Sequence, residues 1–123
     1  MQPKIKTYKD LLVWQKGITL VKKIYVVTRG FPRDEKFGLV SQMRRSAVSI
    51  PFNIAEGQAR RSTGEFVQFI SIRLGSLAEL ETQIVISAEL GYCAESAATE
   101  VFGAIHELQR MLYSLRSKLM GSG

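Results

Sequence analysis

Cysteine and histidine are nearly missing from this chain. Cys93 is its single cysteine and His106 its single histidine. One cysteine excludes an internal disulfide, and fits a reducing compartment. One histidine cannot complete the common zinc sites. A di-iron bundle needs Glu-x-x-His pairs on two helices, and here Gly103 stands three residues before His106. There is no Gly-x-Ser-x-Gly elbow and no Gly-x4-Gly-Lys-Ser/Thr loop. Long apolar runs are lacking too, against the ~18–20 residues that a membrane span needs. No apolar block of secretory type follows the basic stretch from Met1 to Lys9. These absences predict a cytoplasmic protein that binds rather than catalyses, with no metal, no cofactor and no membrane contact. Cys93 lacks an identifiable base, and His106 sits beside a core position taken by Ile105, so neither is expected to do chemistry.

What is present is enough hydrophobic residue for a core, 46% of 123 residues, in a length that suits one domain. The net charge is +6, unevenly spread. Residues 1–61 hold 13 Lys/Arg against 4 Asp/Glu, or +9, and residues 62–123 hold 4 against 7, or −3. That split points to a basic surface for a polyanion. Solubilising charge is the plainer alternative.

Helical periodicity runs through the whole chain, with no sustained alternation of strand type. Four helices are predicted, over about 10–29, 34–60, 63–90 and 94–118, with 119–123 as a flexible tail. In the first, Leu11, Trp14, Ile18, Val21 and Tyr25 make one stripe, and Val13, Gly17, Leu20, Ile24 and Val27 a second beside it. Val40, Met43, Ala47, Ile50 and Ile54 line the second helix, where Pro51 should kink or split it. Ser62-Thr63-Gly64-Glu65 reads as a capping box opening the third, whose core row is Phe66, Ile70, Leu77, Leu80 and Ile84. Gly91 stops it. Val101, Ile105, Leu108, Leu112, Leu115 and Leu119 give the fourth a clean heptad. Short connections between such helices predict an all-α, antiparallel up-down-up-down four-helix bundle.

The doubled stripe on the first helix is wider than one bundle face requires. A second apolar face left exposed marks an interface. A homo-oligomer is therefore expected, with Val13, Leu20, Ile24 and Val27 on the contact. Arg73 falls inside the apolar arc of the third helix and should have a carboxylate partner, either Glu56 or one across the subunit contact. The expected polyanion site is spread over the first two helices and the turn after them. Lys9, Lys16 and Lys23 recur every seven residues, with Lys22 and Arg29 on a neighbouring stripe. Arg44-Arg45 and Arg60-Arg61 add two doublets, the latter beside a helix N-terminus that suits anions. A solvated helix face would carry the same lysine row. Aromatic stacking platforms are not evident, which argues against sequence-specific reading of single strands.

Three segments carry a family resemblance. Asp10-Leu11-Leu12-Val13-Trp14-Gln15, the long run Gly38 to Gly57 (GLVSQMRRSAVSIPFNIAEG) and Gly75-Ser76-Leu77-Ala78-Glu79-Leu80-Glu81-Thr82 resemble motifs of the four-helix bundle proteins encoded in 23S ribosomal RNA intervening sequences. The likeness spans about Tyr8 to Lys118, with Phe52 and Arg73 departing from the pattern. It implies an antiparallel bundle able to form a pentameric ring. It also implies kinship with the accessory variability determinant of diversity-generating retroelements, a basic pentamer that binds nucleic acid and a reverse transcriptase. Arg44, Arg45, Asn53, Glu56 and Arg60 lie in the matched motif, and no catalytic residue carries over. The expected function is thus a non-enzymatic oligomeric scaffold for nucleic acid, with structured RNA or an RNA–protein complex favoured. The alternative is a protein–protein adaptor, for instance a reverse-transcriptase accessory subunit, that never touches nucleic acid.

Overall fold

The computed structural model describes residues 7–60 and 62–121. Among them are four α-helices and no strand: α1 (Leu12–Thr28), α2 (Leu39–Gln58), α3 (Thr63–Glu89) and α4 (Glu95–Gly121). Each helix packs on its neighbour in sequence, and α4 closes back onto α1. That is the predicted four-helix bundle. Leu20 and Ile24 of α1, Met43, Ala47 and Ile50 of α2, Leu77, Leu80 and Ile84 of α3, and Ile105, Leu108 and Leu112 of α4 meet in one core. No helix among the described residues is long and apolar enough to cross a membrane.

The helix ends follow local chemistry. Ser62 caps α3 as expected: the Glu65 amide donates to Ser62 Oγ at 3.1 Å, and the Ser62 hydroxyl donates to the Glu65 carboxylate at 3.3 Å. Gly91 has φ +77°, the left-handed region that favours glycine. It ends α3 in a Schellman motif, with the amide of Tyr92 on the Ser87 carbonyl and that of Gly91 on the Ala88 carbonyl. α2 starts later than predicted. Residues Arg33–Glu35 form a separate 3-10 turn, and the Glu35 carboxylate folds back to accept the Leu39 amide at 3.2 Å. A Cβ on Gly38 would stand 2.9 Å from that carboxylate, so glycine leaves room for the cap. α4 runs on to Gly121, which places 119–121 in helix rather than in a tail; 122–123 lie outside the described residues.

Pro51 does not interrupt α2, which stays helical across it. The carbonyls of Ser46 and Ser49 accept side-chain hydrogen bonds from Ser49 Oγ and Asn53 Nδ2, both at 2.7 Å. The proline is buried against α1, where a Cβ on Gly17 would lie 3.3 Å from the Pro51 Cβ. A small residue there lets the two helices approach closely.

That contact decides which stripe of α1 faces inward, and it reverses the expected interface. Val13, Leu20 and Ile24 are buried in the chain's own core, and Val27 is half-buried against it. They are not free to contact another subunit. The other stripe lies further out: Trp14, Ile18 and Val21 are half-buried and Tyr25 is exposed. The expected Arg73–Glu56 pair is also not formed. Gly57 faces Phe69, and the Ser46 hydroxyl donates to Glu79, at 3.1 Å. This antiparallel register sets Arg73 level with Phe52 and Asn53, about one helical turn from Glu56. Arg60 takes the Glu56 carboxylate at 3.2 Å. Arg73 Nε is buried with no hydrogen-bond partner among the described residues.

Candidate functional site

The basic residues singled out from the sequence do not form one surface. Lys9 precedes α1 in a 3-10 turn, so the heptad lysine row is broken at its first member. Lys16 and Lys23 turn toward α4 and pair with Glu107 at 3.2 Å and Glu100 at 2.6 Å. The Lys23 ammonium holds the Glu100 carboxyl below the usual carboxylate range. Two members of the row therefore tie α1 to α4, in the acidic half of the chain. Lys22 is exposed at the rim of the α1–α4 groove, and Arg29 is exposed at the end of α1. Arg60 sits at the far end of the bundle, between Glu56 and Glu65 and over the Phe69 ring. Arg61 lies outside the described residues.

Arg44 and Arg45 behave differently. They line a groove where the end of α1 meets the start of α2, with Lys36 as a third cation. Arg44 is held in place. Its Nε donates to Thr28 Oγ1 at 3.0 Å and its Nη2 to the Tyr25 carbonyl at 3.5 Å. Its guanidinium also lies over the Tyr25 ring, 4.4 Å from the centroid. A cation there satisfies carbonyls at the negative end of the α1 dipole. Arg45 is exposed and, among the described residues, bonds only the hydroxyl of Ser41, one turn back, at 3.2 Å. Tyr25, Phe37, Val40 and Val48 complete the lining. Three other grooves each carry a carboxylate, Glu100, Glu56 or Glu107. This one carries none among the described residues. Glu35, close in sequence, is engaged elsewhere: it caps Leu39 and accepts the Tyr92 hydroxyl at 3.0 Å. That bond, reinforced by burial and the nearby carboxylates, raises the Tyr92 pKa.

Two of the groove's residues correct the sequence reading. Phe37 is 88% exposed, and Tyr25 is exposed rather than in the core. Aromatic platforms beside cations are thus present. Phe37 was hidden because residues 34–38 read as the first turn of α2. The signal available was Gly38 directly after it. Tyr25 was hidden by the doubled stripe of α1.

Cys93 is half-buried and burial pushes its thiol pKa up, away from a reactive thiolate. His106 is exposed, 2.5 Å from Glu81 and stacked on Phe102. Among the described residues no three His, Cys, Asp or Glu side chains cluster as metal ligands.

The helix order, the core and the paired α1–α4 edge extend over the span that the profile of one family matches, residues 9–114, described as 23S rRNA-intervening sequence protein. The chain belongs to the 23S rRNA-intervening sequence protein family. That match takes in all three segments that carried the resemblance, including the run from Gly38 to Gly57 that supplies Arg44 and Arg45. The family member is also similar to a crystal structure from Bacteroides thetaiotaomicron, a protein of unknown function of the S23 ribosomal protein family. The TM-score is 0.79 at 21% identity, over 86% of this chain and 96% of the other. At that identity the likeness establishes the fold alone. No curated protein matches the chain.

Proposed function

We propose that this family member is a non-catalytic nucleic-acid-binding bundle, and that it contacts phosphates at the groove between the end of α1 and the start of α2. One observation carries the reading: Lys36, Arg44 and Arg45 converge there with no carboxylate in the lining. Phosphate affinity comes from such cations through counterion release. Arginine adds planar, bidentate contact. The family's link to ribosomal RNA makes RNA the preferred partner. The test is a salt titration of RNA binding followed by fluorescence anisotropy. Two to three phosphate contacts give a log–log slope of about −1.4 to −2.7, at ~0.7 to ~0.9 per contact. Binding that is absent at low salt would sink the reading.

A second reading, docking to protein, also has an observation in its favour. Trp14, Ile18, Val48, Pro51 and Phe52 line an apolar groove on the α1–α2 face, and Phe52 is 68% exposed. This, rather than the stripe of Leu20 and Ile24, is the surplus apolar face of α1. We propose it as the contact between copies of the chain. Light scattering should then give a mass well above the 13.8 kDa of one chain, and Phe52→Glu should return it to that value. A single-chain mass for the unaltered protein would remove this reading.

A further inference from the structure

The groove holds more than charge, and what else it holds bears on the kind of nucleic acid it takes. Arg44 is fixed by two hydrogen bonds and by the Tyr25 ring beneath it. A guanidinium lying over an aromatic ring can offer its other face to a further planar group. Phe37 is the second flat surface. It precedes α2, is 88% exposed, and has the Lys36 ammonium over its ring at 5.4 Å. So exposed a ring contributes little to the core. Single exposed apolar residues need no explanation. Here, however, an exposed ring, a ring-backed guanidinium and two further cations line one groove of about 480 Å³. That volume lies within the ~300–1,000 Å³ of small-ligand sites.

A duplex would leave this equipment idle. Its bases are stacked on one another, and it shows a protein only phosphates and base edges. An unpaired base has a free π face, which aromatic rings and guanidinium planes take up whatever its identity. We propose that the groove binds an unpaired nucleotide, its base stacked on Phe37 and the Arg44 plane and its phosphates on Arg45 and Lys36. This rests on the nucleic-acid reading above and narrows it to single-stranded or looped segments.

The test compares Phe37→Ala, Phe37→Trp and the unaltered chain by fluorescence anisotropy. The probes are a ~12-nucleotide single-stranded RNA and the blunt duplex of the same sequence, both at ~50 mM salt. The single strand should bind more tightly than the duplex. Phe37→Ala should weaken single-strand binding about 5- to 150-fold, the range for loss of one stacked base. Duplex binding should stay within about twofold, because phosphate contacts are untouched. Phe37→Trp should keep the single-strand affinity. An unchanged circular-dichroism melt confirms that Phe37→Ala is folded. If Phe37→Ala leaves the single strand unaffected, or weakens both probes equally, the stacking inference falls and the phosphate reading stands. If neither probe binds the unaltered chain, both fall. If Phe37→Ala lowers the solution mass, the ring belongs to a contact between copies, and the inference is overturned.

Discussion

An Ile24→Ala variant should lose about 2–5 kcal/mol of unfolding free energy, the cost of emptying a fully packed core site. Ile24 is 0% exposed and belongs to the core in which all four helices meet. Removing its outer carbons withdraws apolar area from burial and leaves a cavity that the surrounding core side chains cannot close without leaving their own rotamers. A domain of this size holds about 5–15 kcal/mol in total, so the loss is a large share. A urea melt followed by circular dichroism measures it as a lower midpoint with an unchanged slope. The result separates two roles for α1. An interface residue, once truncated, loosens an assembly and leaves the melt of the single chain where it was. A midpoint unmoved by Ile24→Ala would return Ile24 to the surface and undo the assignment of the inner stripe.

That stripe shows where the sequence stops being legible. Heptad spacing identified both rows of α1 and could not rank them, because both are apolar. What ranks them is Gly17, which lies on the same row as Leu20 and Ile24 and meets Pro51 of α2. A helix approaches its partner most closely where the side chain is smallest, so the glycine row faces inward. On α2, α3 and α4 the central members of the predicted rows are buried. Capping chemistry was equally readable at Ser62 and Gly91, where the local motif suffices. At residues 34–38 it failed. The cap of α2 is the Glu35 carboxylate reaching back over Gly38, and the periodicity ran on through it.

The basic site was legible in composition and not in place. Charge counts by residue number cannot show which cations already have partners. Lys16 and Lys23 are spaced to sit in line, and the line faces Glu107 and Glu100 one heptad apart on α4. Exposed pairs of this kind contribute little each, yet they neutralise the row that looked most like a phosphate track. Arg44 and Arg45 escape this because the helix end beside them offers carbonyls and hydroxyls rather than carboxylates.

This distinction carries the second large effect, expected for the double substitution Lys36→Glu/Arg45→Glu. Both residues are exposed and neither holds the fold, whereas Arg44 is tied to Thr28 and Tyr25 and is left in place. At about 5 Å in water a unit pair is worth ~0.8 kcal/mol, so reversing one charge swings ~1.7 and reversing two ~3.3 kcal/mol. Screening trims this to about 100-fold in RNA affinity at ~0.01 M salt and about 20-fold at ~0.15 M. The salt slope should become shallower, because fewer phosphates are neutralised. The control is Lys9→Glu/Lys22→Glu, two exposed residues outside the groove's lining with the same change in net charge. Long-range attraction alone should cost the control no more than a few fold at ~0.15 M salt, because charges beyond a Debye length of ~8 Å are screened. Equal losses in the two variants would mean that affinity follows net charge and not place. A loss confined to Lys36→Glu/Arg45→Glu locates the phosphates at the α1–α2 groove, where the cations have no carboxylate among the described lining residues.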